Sequence, residues 1–414
     1  MTYDAVVVGI GVAGLTAALR LAEHGRRVLV VAKGVGSTHL APGRLDILGY
    51  AAGGQRIERP AAALGAFLAE RPDHPYARVG ARTLSESAEW FRARLGYVGS
   101  ADENFLLPTA LGAVKPTAVV PPSAVGGDLR TGGRFLIVGL QGLKDFFPAL
   151  CAANLQNAAP VRARAVELHP PLGGEHDVNG LGFAGRFEDE PFREAVVREL
   201  RITFAPGERV GFPAVLGLRE AEGVWRELEE RVRTRVFEIP TLPPSVPGIR
   251  MFESLRSALR AAGARIVVGD AVVRARTSGR RVEAVVAEAA GRTVEYSGES
   301  FVLATGGFAS GGLELGSDGA ARETVLGLPI AGLPPHGERF SPEYLGVQPF
   351  ARAGLAVDER LRPLGEDGNV AYENLYAAGA TLGGAEPWRE ASGEGISVAT
   401  GFAAAEAIVQ STAR

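Results

Sequence analysis

Residues 4–8, Asp-Ala-Val-Val-Val, form a short apolar run of the kind required by a strand buried on both faces. Leu15, Ala18, Leu19 and Ala22 then recur at helical spacing over residues 12–24, and His24-Gly25 supplies a stop. Residues 28–32 form a second apolar run. Together these segments predict a βαβ unit near the start of the chain.

Downstream, the pattern predicts helices over 60–70 and 83–95, and Pro108, Pro116, Pro121 and Pro122 break residues 97–134 into loops and short strands. A strand over 135–138 and a helix over 143–155 follow. Residues 157–245 are less regular, with helices expected at 189–200 and 219–233. The stretch Thr241-Leu-Pro-Pro-Ser-Val-Pro-Gly248 reads as a stiff junction returning the chain to its first lobe. An amphipathic helix over 250–262 leads into short strands at 265–268, 271–277, 282–287 and 293–297, expected to form a small sheet. Residues 301–307 read as a buried strand ending in glycines and 396–408 as a final helix. The expected organisation is one α/β lobe of Rossmann type built from residues 1–155 and 246–414, with residues 156–245 inserted as an α+β cap.

Three glycine-rich segments sit where chemistry is expected. Gly9, Gly11 and Gly14 fit G-x-G-x-x-G between a strand and a helix. Gly9 permits the tight turn, Gly11 leaves room for a pyrophosphate, and Gly14 allows the helix to approach the strand. With Val12 and Ala13 they open a helix whose N-terminal N–H groups attract an anion. Ala304-Thr305-Gly306 follows the buried strand and offers a second close backbone approach. Near the end, Asn374-Leu-Tyr-Ala-Ala-Gly379, Gly384, Gly395 and Ile396 complete the set, with Ser392 to Gly395 opening the last helix. In this order the motifs indicate that both ends of the chain meet around one flavin.

One position departs from the dinucleotide pattern. An acidic residue is expected after the second strand, where it binds ribose hydroxyls, but the strand runs into Lys33-Gly34. Either the adenosine end is held differently, with Lys33 against phosphate, or the cofactor lacks adenosine. The pyrophosphate-type glycines favour FAD, and FMN is the alternative.

Other polar groups are candidates for contact with the ring or a substrate. Ser37, Thr38 and His39 lie in the loop after the first βαβ unit, and His336 and Arg389 flank the late motifs. His39 and His336 are the candidate bases, and Arg389 a candidate anion clamp. The spacing in Phe135-Leu-Ile-Val-Gly-Leu-Gln-Gly142 does not fit a second nucleotide site, and no metal-ligand spacing is present.

Composition narrows the function. The net charge of -3 gives no electrostatic case for nucleic acid. Cys151 is the only cysteine, which excludes an intrachain disulfide and a cysteine-ligated iron–sulfur cluster within the chain. Electrons collected here would leave to another molecule. No secretory signal and no spanning apolar run are visible, so a cytoplasmic chain is expected.

The sequence resembles the B subunit of anaerobic glycerol-3-phosphate dehydrogenase nearly end to end. The likeness is carried by the N-terminal glycines with a basic residue after the second strand, by the His39 loop through Leu45-Asp46, and by His74-Pro-Tyr76. It continues through Leu242-Pro-Pro-Ser-Val246, Gly248-Ile-Arg250, Ser310-Gly-Gly-Leu313, Gln348-Pro349, Leu361-Arg-Pro363 and Leu382-Gly-Gly384. The resemblance implies the fumarate reductase-type flavoprotein fold and a complex of three different polypeptides. The catalytic A subunit oxidises sn-glycerol 3-phosphate to dihydroxyacetone phosphate on FAD. The C subunit holds iron–sulfur clusters at the membrane, and the B subunit is assigned FMN. Electrons pass to quinone. The other readings are a stand-alone flavin oxidoreductase acting on a small polyol phosphate or hydroxy acid, and a non-catalytic assembly subunit.

Overall fold

The computed structural model describes residues 2–412. The opening βαβ unit forms as the pattern predicts: β1 (Tyr3–Val8), α1 (Val12–Glu23) and β2 (Val28–Ala32). Every residue of β2 is buried, as its unbroken apolar run requires. A helical segment, α2 (Pro75–Leu95), broken by a kink at Gly80 where φ is +77°, lies beyond the loop that follows.

The middle of the chain builds a second sheet from β3 (Gly133–Leu140), β4 (Val161–Leu168), β5 (Glu208–Pro213) and β6 (Val236–Ile239). Its order is β6-β5-β3-β4, and all three pairings are parallel. Its apolar cluster runs from Leu129 to Ile239 and includes Phe135, Ile137, Phe212 and Phe237, all fully buried. The inserted unit therefore mixes helices and strands, but its core begins well before residue 156. β3 and the helix Pro148–Ala158, placed in the first lobe by the sequence pattern, belong to this second core. Cys151 sits in it fully buried, and burial pushes its thiol up to about 11.

The chain returns through α3 (Val246–Ala261), whose N-cap Ser245 accepts a hydrogen bond from Gly248 N. It then adds β7 (Arg265–Val268), β8 (Ala271–Ser278), β9 (Arg281–Ala289), β10 (Arg292–Leu303) and β11 (Leu375–Ala377), and ends in α4 (Gly393–Thr412). The large sheet has the order β7-β2-β1-β10-β9-β8, with β11 also paired to β10. β7 is thus an edge strand of the main sheet, parallel to β2, and not part of a separate small sheet. β10 serves two pairings: its first half is antiparallel to β9, and its last residues run parallel to β1 and β11.

The two chain ends pack together. Gly401 of α4 lies against α1, where an added Cβ would meet Ala13 O at 2.5 Å. Arg20 of α1 pairs with Glu406 of α4 at 2.6 Å. Small residues on both helices permit this close approach, which brings the C-terminal motifs beside the first glycine turn.

Candidate functional site: a nucleotide cleft at the strand ends

The carboxyl ends of the parallel strands are stitched in register. Val8 pairs with Leu303, Gly9 N donates to Val31 O at 2.9 Å, and Ala304 N donates to Val8 O at 2.8 Å. These bonds set the turns after β1, β2 and β10 side by side. A cleft of about 610 Å³ opens there, at the place where ligands bind in open α/β sheets.

The first glycine motif is explained position by position. Gly9 has φ +112°, and a Cβ on it would lie 2.1 Å from Ala304 O. A Cβ on Gly14 would lie 2.1 Å from Gly9 O. Gly11 is different: a Cβ there meets nothing within 4 Å, so the missing side chain leaves open space at the cleft. Gly11 is the N-cap of α1, has no side-chain capping bond, and is followed by no acidic residue in the first turn. The N–H groups of Val12, Ala13 and Gly14 are consequently presented to a ligand.

Lys33, directly after β2, is the one charged side chain among the described residues lining the cleft. Thr305 is also on the lining. A helix N-terminus, a lysine and an open glycine together fit a phosphorylated cofactor.

Of the residues expected at the cofactor, Gly9, Gly11, Lys33, Gly34, Ser37, Ala304, Thr305 and Gly306 line this cleft. Val12, Ala13 and Gly14 form the helix start behind it. The remainder take packing positions. Thr38 is buried, with its hydroxyl unpartnered. Gly379 N donates to Thr400 Oγ1 at 2.9 Å, and a Cβ on Gly379 would meet Ala13 Cβ at 2.7 Å. Gly384 lies against the Asp73 backbone, and Gly395 N donates to Asp46 O at 2.9 Å. Ile396 is buried at the start of α4. Sequence reasoning missed Ala271, Val272, Ser310, Gly311 and Thr324 on the lining. Ser310-Gly311 stands in a motif already noted, whereas nothing local marks the start of β8.

The candidate catalytic groups do not converge. His39 sits in a short 3₁₀ turn, Ser37–Leu40, pressed against the start of α3. Its carbonyl accepts from Ser245 N at 2.8 Å, and its ring meets Phe252 edge-on at 4.8 Å. Burial lowers its imidazole below the ordinary range, with Arg256 adding to the effect and Glu253 opposing it. His336 is exposed on a separate loop. Arg389 is half-buried, its guanidinium 5.3 Å from the Trp388 ring centre. None of the three lines the cleft.

Comparison with known proteins gives the architecture a family. The FAD binding domain family matches residues 4–396. A Halobacterium salinarum protein, named as the B subunit of a probable anaerobic glycerol-3-phosphate dehydrogenase, is 36% identical over 98% of both chains. The Yersinia pestis B subunit of anaerobic glycerol-3-phosphate dehydrogenase is 32% identical over 100% of this chain and 99% of its own. Among solved structures, an open flavocytochrome c3 fumarate reductase is similar, with a TM-score of 0.47 and 12% identity over 99% of this chain and 78% of that one. The chain therefore belongs to the family of anaerobic glycerol-3-phosphate dehydrogenase B subunits and is built on an FAD-binding domain.

Proposed function

We propose that this chain is the electron-relaying flavoprotein component of an anaerobic glycerol-3-phosphate dehydrogenase complex. The observation that carries the reading is the cleft at Gly11, open at the N-terminus of α1 and bounded by Lys33, in a chain that matches its B-type relatives along nearly its whole length. A flavin held there supplies reversible exchange of electrons singly or in pairs. FAD is favoured over FMN, because the glycine turn and helix start suit a pyrophosphate.

The relay role is supported by what surrounds the cleft. His39, His336 and Arg389 are dispersed, so no described base and anion clamp stand together at its lining. Cys151 is the only cysteine and is buried, so a cysteine-ligated cluster must lie on another molecule. There are two partners in this reading. One is a catalytic FAD subunit that oxidises sn-glycerol 3-phosphate to dihydroxyacetone phosphate. The other is an iron–sulfur subunit that passes electrons towards quinone. Among the described residues no helix is long and apolar enough to cross a membrane. Attachment to the inner face of the cell membrane would come through the iron–sulfur partner.

Anaerobic addition of glycerol 3-phosphate to the purified chain tests the relay. The flavin spectrum stays oxidised with the chain alone and bleaches once the partner polypeptides are added. Bleaching of the isolated chain would instead establish direct substrate oxidation.

A further inference from the structure

Phe340, Tyr344, Leu345 and Val347 fall within eight residues of one loop, 336–352, and all four side chains stand out in solvent. Tyr344 is 90% exposed and Leu345 78%. Among the described residues no other stretch of this length exposes more than two large apolar side chains. Apolar side chains exposed together mark a surface that another molecule covers.

The loop is braced. Gln348 ties its tip: Oε1 accepts from Ser341 N at 2.9 Å, and Nε2 donates to Glu343 O at 2.9 Å. The Phe340 ring packs against Phe350 at 5.1 Å between centres, and Phe350 against Phe308 at 4.4 Å. Phe308 is followed directly by Ala309 and Ser310, which line the nucleotide cleft. The aromatic row therefore joins the exposed tip to the wall of the cleft. A surface already held in shape loses little entropy when it is covered.

The charge around it is one-sided. Asp318, Glu338 and Glu343 are exposed. Arg339, the only Arg or Lys between residues 323 and 351, is 8% exposed, and its Nε donates to Pro334 O at 3.1 Å. Arg322 and Arg352, which bracket the stretch, are already paired with Glu314 and Asp73, each at 2.6 Å.

We propose that this loop is the docking surface for the partner polypeptide that carries the iron–sulfur clusters, which presents to it an apolar hollow ringed by Arg or Lys. This docking rests on the relay reading of the cleft, in which electrons leave to a cluster on another molecule. The acidic rim selects against two other occupants. An anionic lipid surface attracts basic segments and repels this one. A second copy of the chain, docked about a two-fold axis, would bring the two acidic rims together.

Interferometry with the full-length, flavin-loaded chain and the purified iron–sulfur polypeptide tests the surface. The wild type should bind. The double variant Tyr344→Ser, Leu345→Ser should bind about tenfold more weakly or worse, because exposed aromatic anchors carry much of such an interface. Glu338→Lys with Glu343→Lys should slow association at low salt, with the difference fading as salt is raised. Ile202→Ser removes an exposed apolar side chain from the second lobe and should change neither the affinity nor the rate. No binding by the wild type would overturn the proposal, as would unchanged affinity in the double variant. Flotation of the wild type but not of that variant with phosphatidylglycerol vesicles would assign the loop to a membrane and overturn it. A dimer in sedimentation that the variant abolishes would assign it to a second copy and do the same. Flavin content, read by absorbance, separates the two claims. A flavin-loaded chain whose binding ignores these substitutions loses the docking surface and keeps the flavin, whereas a colourless chain that binds through the loop loses the flavin and keeps the surface.

Discussion

Gly9 and Ala304 touch where the first strand meets the returning one: the carbonyl oxygen of Ala304 lies 2.1 Å from the position a Gly9 Cβ would occupy. Residues almost three hundred positions apart thus leave no room for a methyl group, in a turn that also needs φ +112°. Gly9→Ala is expected to cost about 1–3 kcal/mol in backbone strain, with overpacking added. A large fall in Tm by calorimetry, with loss of bound flavin, checks this.

Gly11→Ala should behave in the opposite way. Its backbone is ordinary, with φ -66°, and a Cβ there meets nothing, so the fold should be retained with Tm nearly unchanged. The added methyl projects into the cofactor's space. A contact overfilled in this way costs about 1–3 kcal/mol, so flavin affinity should fall roughly 5- to 150-fold. Fluorescence titration of the apoprotein with FAD measures it, and unchanged affinity would move the pyrophosphate away from α1.

Lys33→Ala probes the departure from the acidic ribose-binding pattern. If Lys33 faces a phosphate, its loss should weaken flavin binding about two- to fivefold, the scale of an exposed ion pair. The difference between wild type and variant should shrink as salt is raised. Tighter binding in the variant would show that Lys33 opposes the cofactor.

A buried network under the C-terminal motif predicts a pH dependence of stability. Glu390 Oε2 is 3.2 Å from His74 Nε2 and accepts from Ser392 Oγ at 2.9 Å, while Glu386 N donates to Glu390 Oε1 at 3.0 Å. Burial raises the Glu390 carboxyl, but His74 and these hydrogen bonds outweigh it and hold the group below its ordinary value. A carboxyl lowered in the folded state adds stability that is fully present above its unfolded pKa, and that stability is lost as pH falls through the folded value. Glu390→Gln should therefore flatten the acid limb of the denaturation profile relative to wild type. An unchanged acid limb would remove Glu390 from the account.

The two lobes are tied by Arg250 of α3, whose Nη1 lies 2.7 Å from Glu238 of β6. Ser123 Oγ and Leu216 N also donate to that carboxylate, at 2.8 and 3.0 Å. Arg250→Met leaves the largely buried Glu238 charge without its cation, at an expected cost of about 3–5 kcal/mol. Urea denaturation reads it out, and a cost below about 1 kcal/mol would mean the pair is effectively solvated.

Much of this was legible in the sequence because the first βαβ unit is local: its apolar run, glycine turn and helical spacing lie within about thirty residues. Errors arose where pairing is remote. Gly298 splits the apolar pattern, so 293–297 and 301–307 read as two strands, yet β10 runs unbroken from Arg292 and ends at Leu303. Gly298 is where β10 meets β1, opposite Tyr3, and a Cβ there would crowd Val6 at 2.8 Å. Likewise Phe135 to Val138 is as apolar as any strand of the first sheet, and only its parallel pairing with β4 and β5 assigns it to the second. At the site, the glycines were visible because backbone demands mark them. Ala271 and Val272 were not, because the start of β8 reaches the cleft through the remote pairing of the sheet.

Acid release of the flavin from the purified chain, with chromatographic separation of FAD from FMN and a count per polypeptide, tests the central claim most directly. The account predicts one FAD per chain, largely lost in Gly11→Ala. A colourless chain that takes up neither flavin on reconstitution would contradict the flavin cradle, and FMN alone would contradict a pyrophosphate at the start of α1.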